Sequence, residues 1–511
     1  MFVPSHDTTI TRDPSPEQVR EEVLRGLVAY LSPRHTEGAA RCAASLHDHL
    51  PDQRTPRRNQ VLVAYGGGKD STYTVAFVRL VQLLLDRSYG DTFRLRIATN
   101  RHAGMPRAVM ANIGRAYRAL GILNDPLCEP LLVDGSEVKP FREDEPLPDD
   151  LIQRNREDIL MMGHRTCANG RPTFCNACNF SMVNSFGLAA SHGGGVDVIV
   201  TGDARREQRA YYVWVRRLAQ KFGIDSAGSN GDFGGFLGTM RNISAMYFRD
   251  VYGEQAAPAV ERRLVTSDVP KELRFFSIYE YTDYASGAHW DLLTEHLGFA
   301  FDDVAFSFSE SDCANPGLMA HLRGLRCERD LGRTYAEGVE EYVEFAVGLM
   351  RQKDFPADLV DLVRARYDGS AGVSRMRARM NEVARELYGL DEEQLVCMVY
   401  SPFAGRGERL QRYLDREHPC LAHLGDAIHG LLRGDAPSDG HTSTQAFLER
   451  MSGLTLAQLR VVYCAPLHRF TPGGADGHLV THILARDPHK QVIQTRHAEG
   501  DAVVEEIISG R

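Results

Sequence analysis

Apolar positions along the chain change their period in a way that divides it into stretches. From Pro16, residues Val19, Val23, Leu24, Leu27, Val28 and Leu31 recur at helical spacing. A second helix is predicted over 39–50, and the charged, Pro-bearing segment 51–60 reads as a linker. At Val61 the pattern becomes strand-like: 61–65, 93–99, 130–135 and 196–202 are short β-branched runs. Amphipathic stretches at 71–85 and 108–120 separate the first three. Such alternation predicts parallel strands joined by right-handed crossovers.

The expected fold is therefore α/β, a doubly wound parallel sheet. It has a short helical N-terminal segment (1–60) and a mainly helical C-terminal extension (331–511). The sheet domain is placed at 61–225, and 226–330 reads as irregular, with 226–238 a flexible stretch and 290–299 a helix. Near the end, 459–465 and 478–485 read as strands.

Composition narrows the function classes. Apolar residues are 43% and charged residues 25% of 511, an ordinary globular balance. A formal net charge of −9 disfavours nucleic acid as a partner. No run is long enough for a membrane helix, and the N-terminus lacks the pattern of a signal peptide. The expected compartment is the cytoplasm, where ten cysteines would be thiols or metal ligands.

The sharpest motif is Tyr65-Gly66-Gly67-Gly68-Lys69-Asp70-Ser71, between a predicted strand and a predicted helix. Glycines let the backbone approach a ligand, and a helix N-terminus attracts anions. Lys69 adds a charge and Ser71 a hydroxyl, a set suited to a polyphosphate. It is not a Walker loop: Val63 stands where that motif needs a glycine, and Asp70 follows the lysine. A plain glycine-rich turn is the bland alternative.

The loop resembles the pyrophosphate loop of the N-type ATP pyrophosphatases (PP-loop enzymes), in which Ser-Gly-Gly-x-Asp-Ser is usual. Gly67, Gly68, Asp70 and Ser71 match it, and Gly66 stands at the usual serine. Thr99-Asn100 at the second strand end is similar to the family's segment near adenosine, and Thr201-Gly202 at the fourth to its second signature, a strand ending in Thr-Gly followed by acidic residues. The resemblance implies ATP bound by 66–71, Thr99, Asn100 and Gly202. Lys69, Asp70 and Ser71 would take part in catalysis, and Mg²⁺ would bind Asp203 or Glu207. A basic surface loop is the plainer reading of 203–209.

The implied chemistry is adenylation of a carbonyl or amide oxygen, with release of pyrophosphate. Sulfur or amine transfer follows, onto a small-molecule or carrier-protein-bound substrate from a sulfur or ammonia donor. The nearest groups in the resemblance are the tRNA thiolation enzymes and the N-acetyl sugar amidotransferases. A non-catalytic nucleotide sensor is the alternative from another class.

Cys175 and Cys178 form a CxxC, with His164 and Cys167 upstream and Cys313 downstream. By resemblance to the thiolation enzymes, Cys175, Cys178 and Cys313 would hold a [4Fe-4S] cluster. Zinc on the CxxC with two of His164, Cys167 and Cys313 is the second reading, and buried thiols the third. The helix predicted around Arg375, Arg377, Arg379 and Arg385 reads as a solvated face balanced by Glu382 and Glu386, with docking of an acidic substrate or carrier as the alternative.

Overall fold

A computed structural model describes residues 15–225, 233–266, 268–270, 272–282, 289–301, 315–352, 354–435, 442–468, 477–485, 491–499 and 502–510. It is α/β, with a six-stranded, mostly parallel sheet compatible with a Rossmann-like fold. The strands are β1 (Gln60–Ala64), β2 (Arg94–Arg101), β3 (Cys128–Asp134), β4 (Glu137–Pro140), β5 (Val198–Thr201) and β6 (Arg274–Ser277). Their order is β4-β3-β2-β1-β5-β6. All neighbours pair in parallel except β4, which turns back on β3. Beyond β1 the order reverses direction, so a switch point lies between β1 and β5.

Each central strand is buried on both sides, which explains its unbroken apolar run. Val61, Val63, Ile97, Val198 and Val200 join one core with helices Lys69–Tyr89 and Arg107–Ala119 and with the N-terminal helices Pro16–Tyr30 and Pro33–His49. Leu62, Ala98 and Ile199 face the other way, onto Ala189 and Ala190 of helix Cys178–Ser191. The first helix opens on a Ser15–Gln18 capping box. It is tied down by Arg20, which donates to both Asp125 and Asp86.

A larger apolar core is built mainly from helices. Helices Asp149–Gly163, Phe233–Tyr252, Pro316–Arg329, Tyr335–Gln352 and Gly369–Tyr388 all contribute to it, as does Glu392–Tyr400. This core runs continuously across residue 330. Among the described residues no helix is long and apolar enough to cross a membrane.

Several sequence expectations are corrected. Residues 233–252, read as part of an irregular region, form one helix whose buried Leu237, Met240, Ile243, Tyr247 and Val251 keep helical spacing. The glycines at its start masked that period; 226–232 lie outside the described residues. The helix expected at 290–299 is present but shorter, ending at His296, and it widens over Leu292–His296, where Leu297 N–H donates to the Leu292 carbonyl.

The expected strand at 459–465 is instead helix Leu456–Cys464, opened by a Thr455–Gln458 capping box. Its apolar run is buried at Leu456, Leu459 and Val462, a helical period. Likewise 478–485 is helix Leu479–Ala485. The strands near the end are β7 (Gln491–Glu499) and β8 (Ala502–Gly510), an antiparallel pair. β4 and β6 were also not anticipated.

Candidate functional site

The glycine loop leaves β1 at the carboxyl edge of the sheet, where ligands of open α/β sheets bind. Val63 pairs with Val200, so two residues further on Tyr65 comes level with Gly202. The loop and the end of β5 therefore flank the switch point. Gly67 has φ of +77°, a conformation that disfavours any residue with a side chain. A Cβ there would lie 2.6 Å from Val109 Cγ1 and 2.9 Å from Ile113 Cδ1. The close packing against helix Arg107–Ala119 thus by itself requires glycine at 67.

Gly68 is the N-cap of helix Lys69–Tyr89, and no side chain caps that end. Twenty-one residues of helix thus point their positive end at the loop. The Ser71 hydroxyl donates to the Gly68 carbonyl at 3.0 Å, and Thr72 Oγ1 donates to the same oxygen at 2.9 Å. The tight turn is held by its own hydroxyls.

Lys69 is buried, with Nζ 2.8 Å from Asp70 Oδ1. It lies over the rings of Trp290 and Phe355, at 5.6 and 5.9 Å from their centroids. Asp70 itself is exposed. The aromatic roof comes from segments more than two hundred residues away, and no sequence signal pointed to it. Close by, His289 stacks on Tyr73 at 4.4 Å and meets His35 edge-on. Burial, with His35 and Lys69 nearby, lowers the His289 pKa to about 4.

Thr99 is fully buried, and its hydroxyl donates to the Tyr65 carbonyl at 2.8 Å. It anchors the start of the loop. Asn100 is half-buried, and its amide donates to Ser181 Oγ at 3.2 Å. This links the end of β2 to helix Cys178–Ser191. Gly202 is tight as well: a Cβ would sit 2.9 Å from Thr74 Oγ1. Asp203 accepts from the Thr201 hydroxyl at 2.8 Å, and Glu207 accepts from the Ala204 amide at 3.0 Å. Both acids are exposed at the end of β5, and Glu207 caps the helix Arg205–Lys221.

Cys178 opens helix Cys178–Ser191, and its sulfur lies 2.6 Å from that of Cys175. Arg171 Nη1 approaches Cys175 Sγ at 3.5 Å. His164 and Cys167 do not join the pair. His164 is fully buried and its Nε2 bonds the Ser452 carbonyl at 3.0 Å, while burial lowers its pKa to about 4. The sulfur of Cys167 accepts from Arg409 at 2.7 Å. Both are engaged by the helical region rather than by the CxxC. Among the described residues no group of three His, Cys, Asp or Glu side chains is placed to hold a metal ion. Cys313 lies outside the described residues.

Compared with known proteins, the chain is matched by no family model and by no curated sequence.

Proposed function

We propose that the chain is an ATP-dependent adenylating enzyme of the PP-loop type. One observation carries this reading. A Gly-Gly-Gly-Lys-Asp-Ser turn opens a long helix with no side-chain cap, at the switch point of a mostly parallel sheet. Backbone amides and a helix dipole at that place favour a polyphosphate.

In the proposed reaction a substrate carbonyl or amide oxygen attacks the α-phosphorus of ATP, and the bond to the bridging oxygen breaks. Pyrophosphate leaves with the electron pair. A sulfur or amine nucleophile then displaces AMP. Lys69 would stabilise the charge that develops on the leaving group. Trp290 and Phe355 lie beside its ammonium, and in such a low-dielectric setting its attraction for that charge is stronger than in water. Asp203 and Glu207 offer the oxygen donors that Mg²⁺ takes alongside phosphate, and the ion would offset phosphate charge there. Cys175 and Cys178 offer thiolate chemistry suited to zinc or an iron–sulfur cluster, and a third ligand would have to join them.

The test is release of pyrophosphate from ATP on incubation with carboxylate, amide and carrier-bound acceptors. Acceptor-dependent release is expected, and Lys69→Ala should slow it by roughly 100-fold or more. Binding of ATP without any acceptor-dependent release would leave a nucleotide sensor. Equal release by Lys69→Ala would remove the lysine from the chemistry.

A further inference from the structure

Helix Arg205–Lys221 begins just after the end of β5 and buries only one side, through Val215, Leu218 and Ala219. Its outer side exposes Arg205, Arg206, Arg209, Tyr212, Arg216 and Arg217. Arg205, Arg209, Tyr212 and Arg216 follow each other at helical spacing, and Arg206 and Arg217 flank that row. From Arg205 to Arg217 the stripe is about 18 Å long.

On helix Gly369–Tyr388, by comparison, Arg377 pairs with Glu328 and Glu392 of neighbouring elements, and Arg379 with Glu382 of the same helix. On helix Arg205–Lys221, Arg205 alone has a carboxylate partner among the described residues, Glu280 at 3.4 Å. No carboxylate of the described residues pairs with Arg206, Arg209, Arg216 or Arg217. Arg216 instead lies over the Tyr212 ring, 6.0 Å from its centroid. Tyr212 is 36% exposed, and Tyr279, next to Glu280, is 47% exposed.

We infer that this face is the docking surface for an acidic helix of a partner protein, carrying carboxylates at one-turn spacing. Complementary charge is the first reason. The second is residue choice: arginine and tyrosine, with lysine turned away, are the side chains that protein interfaces favour. Lys221, the one lysine of the helix, contacts His482. The third reason is extent. The stripe is one helix long and is bounded by Asp203, Glu207 and Glu280 at the end nearest the crevice. A chain of −9 net charge would repel a polyanion that ran beyond that stripe. This inference is independent of the nucleotide reading, since it needs no ligand at 66–71.

Fluorescence anisotropy on the full chain tests it with three labelled probes. They are a helical peptide of about 18 residues with glutamates at one-turn spacing, its glutamine counterpart, and a single-stranded RNA of matching length. The glutamate peptide is expected to bind. Its affinity should fall at least tenfold between about 50 and 300 mM salt. The triple variant Arg206→Glu, Arg209→Glu, Arg217→Glu should bind it at least about tenfold more weakly with an unchanged circular dichroism spectrum. The corresponding glutamine variants serve if the reversals disturb folding. Reversal of Arg375 should leave binding unchanged. Tighter binding of the RNA, equal binding of the glutamine peptide, equal binding by the triple variant, or no binding in low salt would each overturn the proposal.

Discussion

Gly67 shows how a residue chosen for one reason turns out to be held for another. In the sequence it reads as an opening for phosphate. In the fold its α-carbon faces Val109 and Ile113, at a positive φ. Gly67→Ala is therefore expected to lower stability by about 1–3 kcal/mol, seen as a lower Tm. Val109→Ala should cost less in the Gly67→Ala background than in the parent chain, because it removes the atom 2.6 Å from the new Cβ. An unchanged Tm in Gly67→Ala would contradict the packing account. The loss of ATP binding in a Gly67 variant is then no measure of phosphate contact; Lys69 and Ser71 are the cleaner probes.

At the scale of elements, a buried carboxylate, Asp125, helps fasten the first N-terminal helix to the sheet layer. Asp125 accepts from Arg20 at 2.7 Å and from Arg79 at 2.8 Å, and both Arg79 and Asp125 are almost wholly buried. Burial alone would raise its pKa, but the hydrogen bond from Arg20 and the charge of Arg79 hold it down at about 2. The folded value lies below the unfolded one. The stabilisation is therefore present at neutral pH and is lost as pH falls from about 4 to about 2. Asp125→Asn leaves the Arg79 charge buried without its counter-ion, and is expected to cost about 3 kcal/mol. A denaturant titration showing less than about 1 kcal/mol would refute the fastening role.

The elements read from sequence were those whose pattern is local. β1, β2, β3 and β5, with helices Lys69–Tyr89 and Arg107–Ala119, stand within a few residues of their expected places. Each is a short β-branched run or a stretch with helical period. Leu456–Cys464 was misread because Leu459, Val461 and Val462 look like a strand in isolation, while the Thr455–Gln458 cap lies just upstream. β7 and β8 were missed although Gly500-Asp501 separates two β-prone runs, a hairpin signal. In the site, the loop is legible because its glycines and the Lys-Asp-Ser tail are contiguous, and Gly202 only through resemblance of the β5 end to a Thr-Gly signature. Trp290 and Phe355 were not, since only tertiary packing brings them over Lys69.

At the scale of the whole molecule, the helical core that crosses residue 330 is sensitive to acid. Burial lowers the pKa of both His164 and His321 to about 4. His164 bonds the Ser452 carbonyl, and His321 sits between Tyr335 Oη and Asn381. Both rings are neutral in the fold, so protons bind more readily to the unfolded chain. Their contribution is complete above about pH 6.5 and is lost as pH falls toward 4. Tm is therefore expected to drop steadily between pH 6.5 and 4.5, well before Asp125 titrates. A flat Tm over that range would mean that neither ring is buried neutral.

The central claim is that the turn from Gly66 to Ser71 holds the phosphates of ATP. Amide hydrogen exchange with and without Mg²⁺ and ATP tests it without knowledge of the acceptor. Slowed exchange is expected in the peptides covering 66–71 and the end of β5 at Gly202, with no comparable change in helix Gly369–Tyr388. No change at 66–71 under saturating ATP, or protection confined to another part of the chain, would contradict it.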